Sequence, residues 1–495
     1  MKWLIPVLAG LLLSHVAVAS GGGKRTSSRV LEPSLEVSIN LGAAKQLFHN
    51  GQPDAMGMSD VPDMHTAIMQ QPDSSYRLWI AGRFNADSLK GATGLITTKD
   101  FVSYAPVGSP KTAQVVLAPS CTSGSSSCSN NFDADYTGAD LVFSATNGKD
   151  LLMLYHGETR TFGTQHSTGN PLIFYAEIGL ARSTDNGDTW TRQGAIVSGY
   201  DPKPSSFPAS YANGVVEPGA ILANGYIYAF YEYSPVAGAP DYGPPTIQVA
   251  RSPVATDGAP GTWTKYYNGS FGSQPGLGGL GSQVVPTVSG ETGPAQPWPV
   301  FSTYLNAYVL VFLAREGWFF STSTDLVAWT TPRQFFTAPA PEFTTGMPTD
   351  ENVIMVTPGN PVQVIGQTGY VLYAHTPAWG DSAHQLWIFP FTFNFVSTDL
   401  DPSDRATPFT FELLQNYPNP FNPSTTIRYG LPLKSKVTLS VYNTLGEQMA
   451  VLVHSEQEAG YYEVNFDGTG LASGVYFYRI RAGSYVQTKQ FILLR

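Results

Sequence analysis

Charge is scarce in this chain: Asp, Glu, Lys and Arg together make up only 13% of its 495 residues. The 27 basic residues are outnumbered by 37 acidic ones, a formal charge of −10, which argues against nucleic acid or an anionic membrane as the main partner. Cysteine is almost absent. Cys121 and Cys128, in the loop PSCTSGSSSCSNN, are the only two, too few for a disulfide-dense scaffold. No long segment has helical periodicity, and no nucleotide, flavin or zinc motif stands out. No cofactor is therefore expected, and a structural calcium is the one ion left open.

What the sequence does have suits strands and turns. Aromatic residues reach 13%, with 49 Gly and 38 Pro. The first residues, MKWLIPVLAGLLLSHVAVAS, place Lys2 before an apolar stretch and Ala17-Val18-Ala19 before Ser20. That order reads as a cleavable secretory signal over 1–19 rather than a membrane span, so the mature chain carries no transmembrane segment. Export makes a local Cys121–Cys128 disulfide the expected state of the two thiols. Residues 20–33 read as a disordered linker.

From there the chain repeats itself. In YANGVVEPGAILANGYIYAFYEY, Glu217 precedes a short apolar run, an Asn224-Gly225 turn and a second strand, which is a hairpin signal. Four similar hairpins are expected. Asp63, Met64 and His65 lead the first, Asp140 the second, Trp298 and Pro299 the fourth, and Gly359 and Asn360 lead a fifth built on Val362–Ile365. Their second strands carry Trp79, Tyr155, Tyr231, Phe312 and Tyr373 at intervals of roughly 60–80 residues, the spacing of a repeat architecture. A further hairpin follows each one. Four strands per repeat predict a five-bladed β-propeller over 34–397, with the leading polar residues facing a central channel.

Ser183-Thr184-Asp185-Asn186-Gly187-Asp188-Thr189-Trp190 resembles the Asp box of sialidases and related propellers, with degenerate copies ending at Trp263 and Trp329. Its expected role is a structural turn. After a polar linker at 398–410, residues 411–495 show short alternating strands separated by Pro, Asn and Gly, the pattern of a small Ig-like β-sandwich. Asn416-Tyr417-Pro418-Asn419-Pro420-Phe421-Asn422-Pro423, Tyr442-Asn443 with Leu445-Gly446, and Leu471-Ala472-Ser473-Gly474-Val475-Tyr476 closely resemble the C-terminal sorting domain of type IX secretion. The resemblance implies Sec export, passage across the outer membrane by the type IX machinery, and release or surface attachment.

Acids led onto one channel from blades one, two and three would hold different pKa values, so that one serves as acid and another as base. That division of labour is what glycoside hydrolysis needs. The arrangement resembles the five-bladed glycosidases of glycoside hydrolase families 43, 32, 62 and 117, with Glu217-Pro218-Gly219 similar to the family 43 Glu-Gly-Pro pattern. The resemblance implies Glu217 as acid, Asp63 or Asp60 as base and Asp140 as modulator. Trp298 is expected to stack on a sugar, and His65, His156, Glu158, Arg160, Arg83, Arg315 and His375 to bind hydroxyls or a carboxylate. The expected partner is thus a carbohydrate. A non-catalytic glycan-binding propeller is the alternative, and a sialidase-like protein or a lyase a more distant one.

Overall fold

A computed structural model describes residues 29–30, 35–47, 58–60, 65–84, 89–101, 103–107, 114–121, 131–162, 165–166, 173–206, 212–237, 243–288, 294–314, 317–337, 349–360, 363–376, 385–397, 411–414, 416, 419, 421–483 and 485–494. The expected signal peptide and nearly all of both linkers lie outside them, as do Cys128, Asp63 and Arg315. The one helical element among the described residues is the 3-10 turn Val254–Thr256. None is long and apolar enough to cross a membrane.

Residues Glu36–Val396 form one compact unit, a five-bladed β-propeller. Blade two runs outward through Tyr136–Ser144, Leu151–Thr159, Phe174–Ser183 and Thr191–Val197, and blade four through Ala295–Ser302, Ala307–Ala314, Gly317–Ser323 and Arg333–Thr337. The second strand of blade two is buried along its whole length, as expected where sheets pack on both faces. Blade three is longer. After Ala212–Ala223, Tyr226–Ser234, Thr246–Pro253 and Thr264–Tyr267 it adds Ser270–Pro275.

Blade five differs from expectation. Its inner strand is Thr349–Val356, paired with Thr368–Thr376, while Val364–Ile365 runs parallel to the inner strand of blade four. The apolar run Val353–Val356 fills the core, and Ile365 is buried in the same cluster. Gly359 and Asn360 lie in the turn beyond it, where the Gly359 N–H donates to the Tyr76 hydroxyl at 2.8 Å. The outermost strand of blade five is Leu35–Leu41, from the start of the chain, hydrogen-bonded to Gln385–Ser397. Ring closure thus joins the two ends of the unit.

The Ser183–Trp190 turn is wired as a turn. Ser183 Oγ and Asp185 accept the N–H groups of Gly187 and Thr189 at 2.8 and 2.9 Å. The Gly187 carbonyl accepts both Trp79 Nε1–H of blade one and Trp190 Nε1–H, at 3.0 and 3.1 Å. Ser323 and Asp325 repeat the pattern in blade four.

Near the axis the blades are tight. A Cβ at Gly219 would lie 1.8 Å from the Pro297 carbonyl oxygen, so blades three and four touch through backbone there. Gly219→Ala is expected to destabilise the propeller by roughly 1–3 kcal/mol, the usual penalty of overpacking. A melting temperature equal to that of the wild type would contradict it.

The second unit comprises Met1–Leu35 and Ser397–Arg495. Glu412–Leu413, Ser424–Leu431 and Gly460–Asp467 form one sheet, with Arg29–Val30 paired at its edge, and Gln448–Gln457, Ser435–Tyr442, Gly474–Ala482 and Tyr485–Leu493 form the other. Between them pack Ile427, Tyr429, Leu439, Tyr478 and Phe491. The motif residues are structural. The Asn416 N–H donates to the Tyr478 hydroxyl at 2.9 Å, Asn419 Oδ1 accepts the Ile492 N–H, and Asn443 Oδ1 accepts the N–H groups of Leu445 and Glu447.

Candidate functional site on the propeller axis

The innermost strands of blades two to five each carry a register shift at an equivalent place. The shifts fall between Ala139 and Leu141, Val216 and Gly219, Ala295 and Trp298, and Glu351 and Ile354. In each case an extra residue is squeezed into the strand, a β-bulge of the kind that re-aims a side chain. In blade two the extra residue is Asp140. In blades three, four and five, Glu217, Gln296 and Asn352 occupy it with positive φ of 41°, 52° and 57°. Non-glycine residues are rarely held there, and each costs about 1–3 kcal/mol that the surrounding packing must offset.

His65 brings these positions together. Its Nδ1 lies 3.2 Å from the Pro218 carbonyl and 3.7 Å from Asp140 Oδ1, and its ring centroid is 5.2 Å from that of Trp298. Gln296 Oε1 accepts the Asn352 N–H at 2.8 Å, linking blades four and five. His65 and Asp140 are wholly buried, and Trp298, Gln296 and Asn352 nearly so. Burial lowers His65 to about 4, against small upward pulls from the Pro218 and Gln296 carbonyls, and it raises the Asp140 carboxyl well above the ordinary range. His65 is consequently neutral at pH 7, and burial favours the protonated form of Asp140.

The burial corrects part of the sequence reading. Trp298 cannot stack on a sugar: it lies two places beyond the bulge and is sealed against His65. His65 and His156 have no open surface for binding hydroxyls either. The register counterparts of Glu217 are Gln296 and Asn352, not Trp298 and Gly359, because the hairpins of blades four and five are longer between the bulge and the paired aromatic, Phe312 or Tyr373, than that of blade three. Glu217 itself is half-buried. His375 is 24% exposed, with Nδ1 2.7 Å from Asp350 Oδ1. Arg160 Nη2 donates to Glu158 Oε2 at 3.1 Å. Asp63 and Arg315 lie outside the described residues, as do the side chains of Asp60 and Arg83.

Gln296 Nε2, Trp298 Nε1, Asn352 Oδ1, His65 Nε2 and both Asp140 oxygens are buried with no hydrogen-bond partner among the described residues. Donors and acceptors are mixed in this set. Water can satisfy both kinds. Among the described residues no three metal-ligating side chains cluster.

Two carboxyls escaped the sequence reading. Glu232 pairs across the strands with Val216, next to Glu217, and burial pushes it up to about 8. Glu177, in the third strand of blade two, is pushed up to about 7 by burial, with Lys203 pulling it down. A lone Glu inside an aromatic run, as in Tyr226–Ser234, was the available signal. Because the folded state holds the Glu232 proton up to about 8 and the unfolded chain releases it near 4.5, this group costs stability progressively as pH rises between those values. Glu232→Gln should melt increasingly above the wild type from pH 5 to pH 8. A constant difference across that range would contradict the assignment.

The chain resembles several solved structures at low identity. One is Zg3597, a family 117 glycoside hydrolase produced by the marine bacterium Zobellia galactanivorans, at 10% identity and TM-score 0.42, covering 74% of this chain and 93% of that one. Others are a GH43_1 enzyme from Xanthomonas citri, at 12% and 0.39, covering 70% and 89%, and GH43B of the Bacteroides ovatus xyloglucan locus, at 10% and 0.35, covering 90% and 91%. No curated protein matches. Residues 415–494 match the family described as the secretion system C-terminal sorting domain. The C-terminal unit of this chain is therefore a type IX sorting domain, and the protein is secreted or attached at the outer-membrane surface.

Proposed function

We propose that the propeller is a glycoside hydrolase acting on a poly- or oligosaccharide at the mouth of its axis, with Glu217 as the general acid. The observation that carries this reading is the placement of Glu217: a half-buried carboxyl on a left-handed bulge, beside a sealed His65–Asp140 pair. A strained polar residue of this kind over a buried support is a common signature of a functional site. Asp140, wholly buried, acts as a modulator and not as a proton carrier in contact with sugar. Asp63, or Asp60, is assigned the base. A Cys121–Cys128 bridge belongs to the same reading of an exported chain.

Incubation of the purified protein with plant and algal glycans is expected to release reducing sugar. Glycan binding with no release would instead favour a binding propeller. Neither release nor binding across the panel would overturn the carbohydrate assignment.

A further inference from the structure

His156 is a buried imidazole that cannot touch a substrate, yet it bonds to the residue at the centre of the proposed chemistry. The Glu217 N–H donates to His156 Nδ1 at 3.3 Å, from blade three to blade two. The opposite ring nitrogen, Nε2, lies 3.2 Å from Glu158 Oε1, and Arg160 Nη2 donates to Glu158 Oε2 at 3.1 Å. His156, Glu158 and Arg160 alternate along one strand and its extension, so all three side chains share a face. Tyr136 and Phe174 flank the ring edge-on, at 5.8 and 6.1 Å between centroids.

The tautomer follows from the partners. Because Nδ1 accepts from a backbone N–H, the ring proton sits on Nε2, where it donates to the Glu158 carboxylate. Glu158 is thus the group that leaves Nδ1 free to accept. We infer that His156, oriented by Glu158 and Arg160, is a positioning residue that fixes the left-handed backbone at Glu217 from the neighbouring blade. The register shift falls at Glu217, and there the imidazole supplies an acceptor for its amide from the neighbouring blade. A backbone held at this φ without that acceptor would relax, carrying the Glu217 carboxyl away from its working position. Displacements of about 1 Å at such a group cost on the order of 10²-fold in rate.

The inference rests on the glycosidase reading for its catalytic consequence, and two conservative variants test it. Asparagine places its oxygen near the Nδ1 position and can still accept the Glu217 N–H; glutamine reaches the Nε2 position, keeps Glu158 and loses that acceptor. His156→Gln is expected to lower kcat about 10²-fold with KM little changed, and to speed hydrogen exchange at the Glu217 amide. His156→Asn should recover most of the rate and the amide protection. Glu158→Ala, which releases the tautomer, should fall between them. Unaltered exchange in His156→Gln would overturn the bond, and lost protection with unaltered kcat would overturn the positioning role. Equal losses in the Asn and Gln variants would mean that the ring serves packing alone. If the wild type shows no turnover on any glycan, the glycosidase reading fails, while the exchange comparison still decides the bond.

Discussion

Glu217→Gln is expected to lower sugar release by about 10²–10⁴-fold, the span usually lost with a general acid, while glycan affinity stays within a few-fold of the wild type. The substitution keeps the shape of the side chain and removes only the transferable proton. The bulge and its contacts to blade two involve the Glu217 backbone, so they survive the change. A variant that turns over as fast as the wild type would remove Glu217 from the chemistry. The neighbouring Glu232, which burial keeps protonated to about 8, would then be the next carboxyl to test as acid. Loss of binding along with turnover would mark Glu217 as a recognition group instead. The pH profile adds a second readout, since turnover relying on Glu217 should lose its alkaline limb in the variant.

A chain ending before Phe411 should be exported across the inner membrane and accumulate in the periplasm, with none at the cell surface or in the medium. The sorting unit has its own two sheets and its own core, so its removal leaves the propeller strands intact. Immunodetection in fractionated cells reads the result, and surface display of the shortened chain would contradict the role of the domain. A subtler variant, Asn416→Ala, removes the Nδ2 donor that bonds Thr425 Oγ1 at 2.9 Å in a buried position. It should weaken export in proportion to the folding it costs.

Much of this molecule was legible in its residues, and what was not has identifiable causes. Turn chemistry such as Asn224-Gly225 and the alternating apolar runs placed the hairpins, because strand periodicity is written locally. The Gln448–Gln457 strand of the sorting domain carries a weak signal in the sequence, since it is an edge strand with Met449 and Val451 exposed and so lacks a clean apolar face. Asp140 and Glu217 stood out as acids before apolar runs. Gln296 and Asn352 did not, because they are uncharged and their equivalence exists only through strand register, which turn length shifts. The bond from His156 to Glu217 was invisible for another reason: one partner is a backbone N–H, which every residue but proline carries.

The strand Leu35–Leu41 has a consequence for how the protein is made. It is the first propeller strand to leave the translocation pore, yet its hydrogen-bonding neighbour, Gln385–Ser397, is among the last propeller segments to follow. Until that late segment arrives this strand has no mate among the described strands, so the circle stays unlatched. Contacts so distant along the chain form slowly, which makes this latch a late step in closing the propeller.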